Sequence, residues 1–145
     1  MSAAGEESLV PPRPAPSKLR YSKLWWAIGW LILGLVIYGS LEKPARPDMP
    51  FAVSDKLIHF SAYWLMTLWF AGVLQRRRYP WLAVALFALG GVIELLQGAM
   101  GFGRDADWRD LLANTLGIAT ALAVAYAGLG SWIAVIERRL GPVTS

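Results

Sequence analysis

A chain of 145 residues that is 56% hydrophobic, with a mean hydropathy of +0.43, is one domain at most and too apolar for an ordinary soluble domain of that size. The net charge of +4 comes from only 17% charged residues, clustered between apolar runs, which argues for a membrane protein and against a nucleic-acid partner. The absence of cysteine excludes disulfides and thiolate metal sites. Eight tryptophans fit aromatic belts at membrane interfaces, with some left for packing.

Residues 1–20 read as a disordered Pro-rich tail, because Pro11, Pro12, Pro14 and Pro16 favour extended backbone over helix. The rest, 21–140, reads as an all-α, four-helix transmembrane bundle with spans at about 24–41, 57–74, 81–100 and 111–136. The first run, Leu24 to Leu41, also resembles a signal peptide behind Lys18, Arg20 and Lys23. Its length, and a tyrosine (Tyr38) where a cut after Ser40 wants a small residue, favour an uncleaved span. Pro44, Pro47 and Pro50 break the chain before the second run. Arg76, Arg77 and Arg78 follow the second run, and Pro80 stands in the first turn of the third. Gly128 and Gly130 are places where the fourth run would bend or leave the membrane.

Basic residues set the orientation. With both termini cytoplasmic, the inside segments carry Arg13, Lys18, Arg20, Lys23, Arg76 to Arg78, Arg138 and Arg139, against Lys43, Arg46, Lys56, Arg104 and Arg109 outside. That topology brings polar residues of three helices to one depth, the outer half of the bilayer. Asp55 and His59 are four apart in the first turns of the second helix. Glu94 lies roughly 9 Å inside the outer end of the third, with Gln97 on its face. Asp107, Asp110, Asn114 and Gly117 form one stripe of the fourth, below Arg104. Ala113, Gly117, Ala121 and Ala125 form a small-residue stripe along the fourth helix, and Gly90 and Gly91 offer the same on the third.

Each polar residue also has a plain structural reading. Asp55 and Asp107 fit as helix N-caps, and Asp110 suits the positive helix end. His59 fits as a packed, hydrogen-bonded imidazole, Gln97 and Asn114 as interhelical joints, and Arg104 as a counter-charge. Glu94 fits that reading least, since a charge at a helix centre costs about 2.5–3.5 kcal/mol on insertion scales. It must be protonated, paired with Arg104 or His59, or open to a water-filled pocket.

Asp55-Lys56, His59-Phe60, Tyr63, Glu94-Leu95-Leu96-Gln97, Arg104 and Asp110 through Asn114-Thr115-Leu116-Gly117, in that order, resemble the VanZ-like family of bacterial membrane proteins over about residues 51–125. The turn GAMGFGR departs from the Val/Pro-containing approach to the arginine that the family often shows. The resemblance implies a four-helix domain in the bacterial cytoplasmic membrane, with function at Asp55, His59, Glu94, Gln97, Arg104, Asp110 and Asn114. Lys56, Tyr63 and Asp107 stand as secondary candidates beside them. The family's name comes from a protein associated with teicoplanin resistance. Resistance by this chain does not follow.

Three functions fit these residues. The first is a protein that binds or modulates a cell-envelope lipid or an amphipathic glycopeptide-type molecule, with Arg104 contacting an anionic group. The second is a membrane hydrolase or transferase on a lipid-linked substrate, with Glu94 or His59 as general base and Asp110 orienting His59 or holding a metal. The third is a structural or assembly partner. No serine or cysteine nucleophile is visible, and one histidine without Glu-x-x-His or His-x-x-x-His spacing is a weak metal signal, so no cofactor and no metal are expected. Membrane lipids are the expected partners.

Overall fold

The structure is a computed structural model that describes residues 19–42, 55–100 and 107–141. The expected tail, the proline-rich loop and the turn carrying Arg104 lie outside the described residues, apart from the last two positions of the tail. Five α-helices follow in chain order: α1 (Ser22–Leu41), α2 (Asp55–Val73), α3 (Tyr79–Met100), α4 (Trp108–Tyr126) and α5 (Trp132–Arg139). Single 3-10 turns, Arg76–Arg78 and Leu129–Ser131, lead into α3 and α5. There is no strand among the described residues.

The helix pair α2 and α4 is the centre of the bundle. Along α2 the buried side is His59, Tyr63, Met66, Thr67 and Phe70, a run of three- and four-residue steps. Against it lies the small-residue face of α4, where Ala113, Gly117, Ala121 and Ala125 are all buried. Gly117 decides how close the two come, since a Cβ there would stand 2.5 Å from the Phe60 carbonyl oxygen and 3.1 Å from the Trp64 nitrogen. Helix α3 packs Leu82, Leu86, Gly90 and Ile93 inward. Gly90 faces the interior, while Gly91 meets open space. Helix α1 is the outer layer, with Gly29 its single buried residue, set against the Phe70 and Trp69 rings.

The four expected spans are not all equivalent. Ser22–Leu41 and Arg76–Met100 are long and apolar enough to cross a membrane, and α4 with α5 adds a third crossing only if an 82° bend is allowed within it. The expected continuous run 111–136 is therefore corrected. Gly128, at φ +133°, breaks it after Tyr126, in a backbone region that side-chain-bearing residues rarely enter. Helices α2 and α4 are less apolar because their inward faces carry His59, Thr67, Asp110 and Asn114, and because alanine and glycine take the place of larger aliphatics on α4.

Contacts across the chain define two ends. At one, the Glu137 carboxylate receives the Arg20 N–H (2.7 Å), the Tyr21 N–H (2.9 Å) and the Trp25 indole N–H (2.8 Å), so α5 caps the start of α1. Trp25, Trp69 and Trp132 pack together beside it with ring centroids 5.2–5.9 Å apart, Trp132 edge-on to both of the others. Arg76 donates to the Tyr126 carbonyl at 2.9 Å, bringing the arginine turn to this same end. At the other end, Gln97 Nε2 donates to the Ser40 carbonyl at 2.6 Å, and Lys56 bridges from α2 to α4.

Burial alone would raise the Glu137 pKa, but the donors from Tyr21, Arg20 and Trp25 outweigh it and hold the carboxyl below its usual range. A depressed folded pKa means the clamp contributes fully above the ordinary carboxylate value, about 4, and is lost as pH falls through the folded value. Hydrogen-exchange protection at residues 20–26, taken relative to the intrinsic rate at each pH, is expected to fall under that acidification, and in Glu137→Ala at neutral pH. Equal protection in the variant and the parent would remove the clamp.

Candidate functional site

The polar residues meet at the end opposite the Glu137 clamp. His59 projects from α2 and is 95% buried, because its relative exposure is only 5%. Its Nδ1 lies 3.2 Å from Asn114 Oδ1. The two share a buried hydrogen bond whose donor depends on the histidine tautomer. The other ring nitrogen, Nε2, lies toward Asp110 Oδ2 at 3.9 Å and Asp55 Oδ2 at 4.0 Å. Both separations exceed a hydrogen bond.

Asp107 ties three helices together. It is the N-cap of α4, accepting from the Arg109 N–H at 2.9 Å, and its other oxygen accepts from Lys56 Nζ at 2.9 Å. Its own N–H donates to Glu94 Oε2 at 3.2 Å. The Arg109 N–H, and then the Lys56 ammonium, hold the Asp107 carboxyl below its ordinary pKa. Lys56 also reaches Asp110 Oδ1 at 3.1 Å, so the two oxygens of Asp110 are divided between the ammonium and the imidazole.

Beneath this layer, buried polar atoms remain without partners among the described residues: Glu94 Oε1, Tyr63 Oη, Asn114 Nδ2 and Thr67 Oγ1. A Cβ on Gly90 would stand 3.2 Å from Asn114 Nδ2 and 3.3 Å from the Tyr63 hydroxyl, so a glycine there leaves room beside both. Unsatisfied buried polar atoms cost about 1–3 kcal/mol each, and such a concentration calls for an explanation.

A groove of about 370 Å³ opens beside the layer, between α1 and α2. Ile32, Leu35, Val36, Ile58 and Ala62 form its apolar wall, and Asp55, His59 and Tyr63 its polar side.

This arrangement can be set against known proteins. The VanZ/LLP1 family pattern matches residues 17–132. The chain belongs to the VanZ/LLP1 family. A relative in Schizosaccharomyces pombe, described as an uncharacterized protein, is 35% identical over 111 residues, covering 74% of this chain and 67% of the relative. No solved structure matches.

Within this VanZ/LLP1 domain the expected polar residues are only partly gathered. Asp55, His59, Asp110 and Asn114 converge, with Lys56 and Asp107 at the rim and Glu94 joined through the Asp107 N–H. Gln97 is buried, but it turns to the Ser40 carbonyl on α1 and serves as a joint between helices. Arg104 lies outside the described residues. Sequence reading missed Thr67, which looks like an ordinary helical threonine, and Glu137, whose partners lie more than 110 residues away. Glu137 also falls beyond the matched family segment.

Proposed function

We propose that this VanZ/LLP1 protein binds an amphipathic molecule of the cell envelope, a lipid or a lipid-like glycopeptide, in the groove between α1 and α2. The observation that carries this reading is the groove's polarity: an apolar wall from Ile32 to Ala62 leads to Asp55 and His59. An alkyl or isoprenoid tail suits the wall, and a polar head group suits the acid–imidazole side. The Tyr63 hydroxyl and a Glu94 oxygen, which have no partner among the described residues, add hydrogen-bonding capacity close by.

In the same reading the protein is a multi-pass protein of a bacterial cytoplasmic membrane, with α2 and α4 crossing as well as α1 and α3 and with both termini inside. The clustering of Arg20, Arg76 to Arg78, Arg138 and Arg139 at the clamp end supports that orientation. Helix α5, with Ile133 inward and Arg138 and Arg139 in its last turn, suits a helix lying along the inner interface.

Gly39 provides a gentle test, because it lines the groove and a Cβ there meets nothing within 4 Å. Gly39→Trp is expected to fill the groove and leave the bundle's thermal stability within about 0.5 kcal/mol of the parent. Native mass spectrometry of the parent should show a co-purifying amphiphile that Gly39→Trp lacks. A strain carrying the variant should shift in sensitivity to lipophilic envelope-active compounds. Equal lipid retention and an unchanged sensitivity profile would reject the groove as the binding site.

A further inference from the structure

We infer that Asp55, His59 and Asp110 form a binding site for a divalent transition-metal ion of the zinc type. One ligand atom from each of the three lies within 4.8 Å of the other two. The deciding feature is the imidazole. Nδ1 is engaged by Asn114 Oδ1 at 3.2 Å, so Nε2 is the ring nitrogen left to face two carboxylate oxygens, at 3.9 and 4.0 Å. The separations from Nε2 to the two acids are longer than a hydrogen bond, and a cation seated among the three would be ligated by the imidazole and both carboxylates. Zinc–nitrogen and zinc–oxygen bonds of about 2.0–2.2 Å at tetrahedral angles place two ligands of one ion about 3.4 Å apart. The two Nε2–carboxylate separations of 3.9 and 4.0 Å are about half an ångström wider, so the carboxylates close inward by that amount on binding.

The surroundings are those of a ligand site. His59 is buried, and its Nδ1 is held from behind by the Asn114 amide oxygen, in the position where a metal-binding imidazole usually meets a carboxylate, a backbone carbonyl or water. Lys56 takes Asp110 Oδ1 and leaves Oδ2 facing the histidine. A single nitrogen with two carboxylates suits zinc or manganese better than the all-oxygen shells of calcium and magnesium. Three protein ligands leave a coordination position open, and Asp55 and His59 both border the groove. Sequence spacing could not reveal the set, because its third ligand is 51 residues from His59 on another helix. The site rests on side-chain geometry alone and stands independently of what the groove binds.

The test uses the full chain in detergent micelles, stripped with a chelator and equilibrated with Zn²⁺, with Mg²⁺ and Ca²⁺ as competitors and Co²⁺ as a spectroscopic probe. The parent is expected to take up one Zn²⁺ per chain and to give Co²⁺ ligand-field bands. His59→Gln, Asp110→Asn and Asp55→Asn should each weaken binding at least ten-fold, and Asn114→Ala should weaken it about ten-fold through loss of the Nδ1 contact. Circular dichroism and gel filtration identify the folded variants. If the buried substitutions fail to fold, Asp55→Asn decides, since its side chain is 45% exposed. Stoichiometric uptake lost in that variant supports the site. Uptake by the parent no higher than background, or undiminished affinity in folded Asp55→Asn or His59→Gln, overturns it.

Discussion

Gly117→Ala is expected to destabilise the protein by about 1–3 kcal/mol, and Gly117→Leu by more, even though alanine favours a helix by about 1 kcal/mol over glycine. The new Cβ would stand 2.5 Å from the Phe60 carbonyl oxygen and 3.1 Å from the Trp64 nitrogen, and both of these are backbone atoms. A flexible side chain could move aside. A helix backbone held in its own hydrogen bonds cannot, so α2 and α4 must separate. The damage extends to the site, because Phe60 adjoins His59 and Gly117 lies one turn beyond Asn114, so separation pulls apart the His59–Asn114 hydrogen bond of 3.2 Å. Gly34→Ala, Gly39→Ala and Gly91→Ala are internal controls, as a Cβ at each meets nothing within 4 Å and helix propensity is free to act. Thermal unfolding in micelles should show those three as stable as the parent or more so. A Gly117→Ala protein that unfolds with the controls would mean that the two helices do not pack as described.

Glu94→Gln is expected to leave the protein as stable or more stable, by up to about 2 kcal/mol, while abolishing its function. Glu94 is buried, and Oε2 accepts from the Asp107 N–H at 3.2 Å while Oε1 has no partner among the described residues. A charge within a membrane helix costs about 2.5–3.5 kcal/mol on insertion scales, and that cost disappears with the amide. The amide oxygen still accepts from Asp107, so the link between α3 and α4 survives. Glutamine would thus be the better structural residue, and the acid must answer to something other than packing. The measurement pairs thermal stability with lipid composition and a sensitivity panel of envelope-active compounds, in a strain carrying the variant at normal protein level. Intact phenotype in a stable Glu94→Gln protein would make the polar layer a structural device.

What the chain order of residues determined was the kind of protein and the type of its polar layer. Apolar runs of helical length can only be helices in lipid, where each helix satisfies its own backbone, so the all-α class followed directly from composition and length. The Ala113–Gly117–Ala121–Ala125 spacing marked the packing face of α4, since periodicity is a local property. The convergence of His59 with Asp110 and Asn114 was likewise legible, because helix spacing and an alternating topology fix which ends meet.

Only the tertiary structure decided what depends on distances between helices. It showed that α2 and α4 give up apolar character to hold the site, leaving α1 and α3 as the clearly apolar spans. It turned Gln97 away to the Ser40 carbonyl, although helical spacing places it on the Glu94 face, because hydrogen-bond partners are chosen by reach across the interface. It fixed the 82° turn after Tyr126, where Gly128 permits a bend but the packing of Trp132 and Ile133 against Gly72 selects it. It also assembled the Glu137 clamp and the Asp55–His59–Asp110 set. Both join residues far apart in the chain, and no local pattern records a meeting that only the folded bundle brings about.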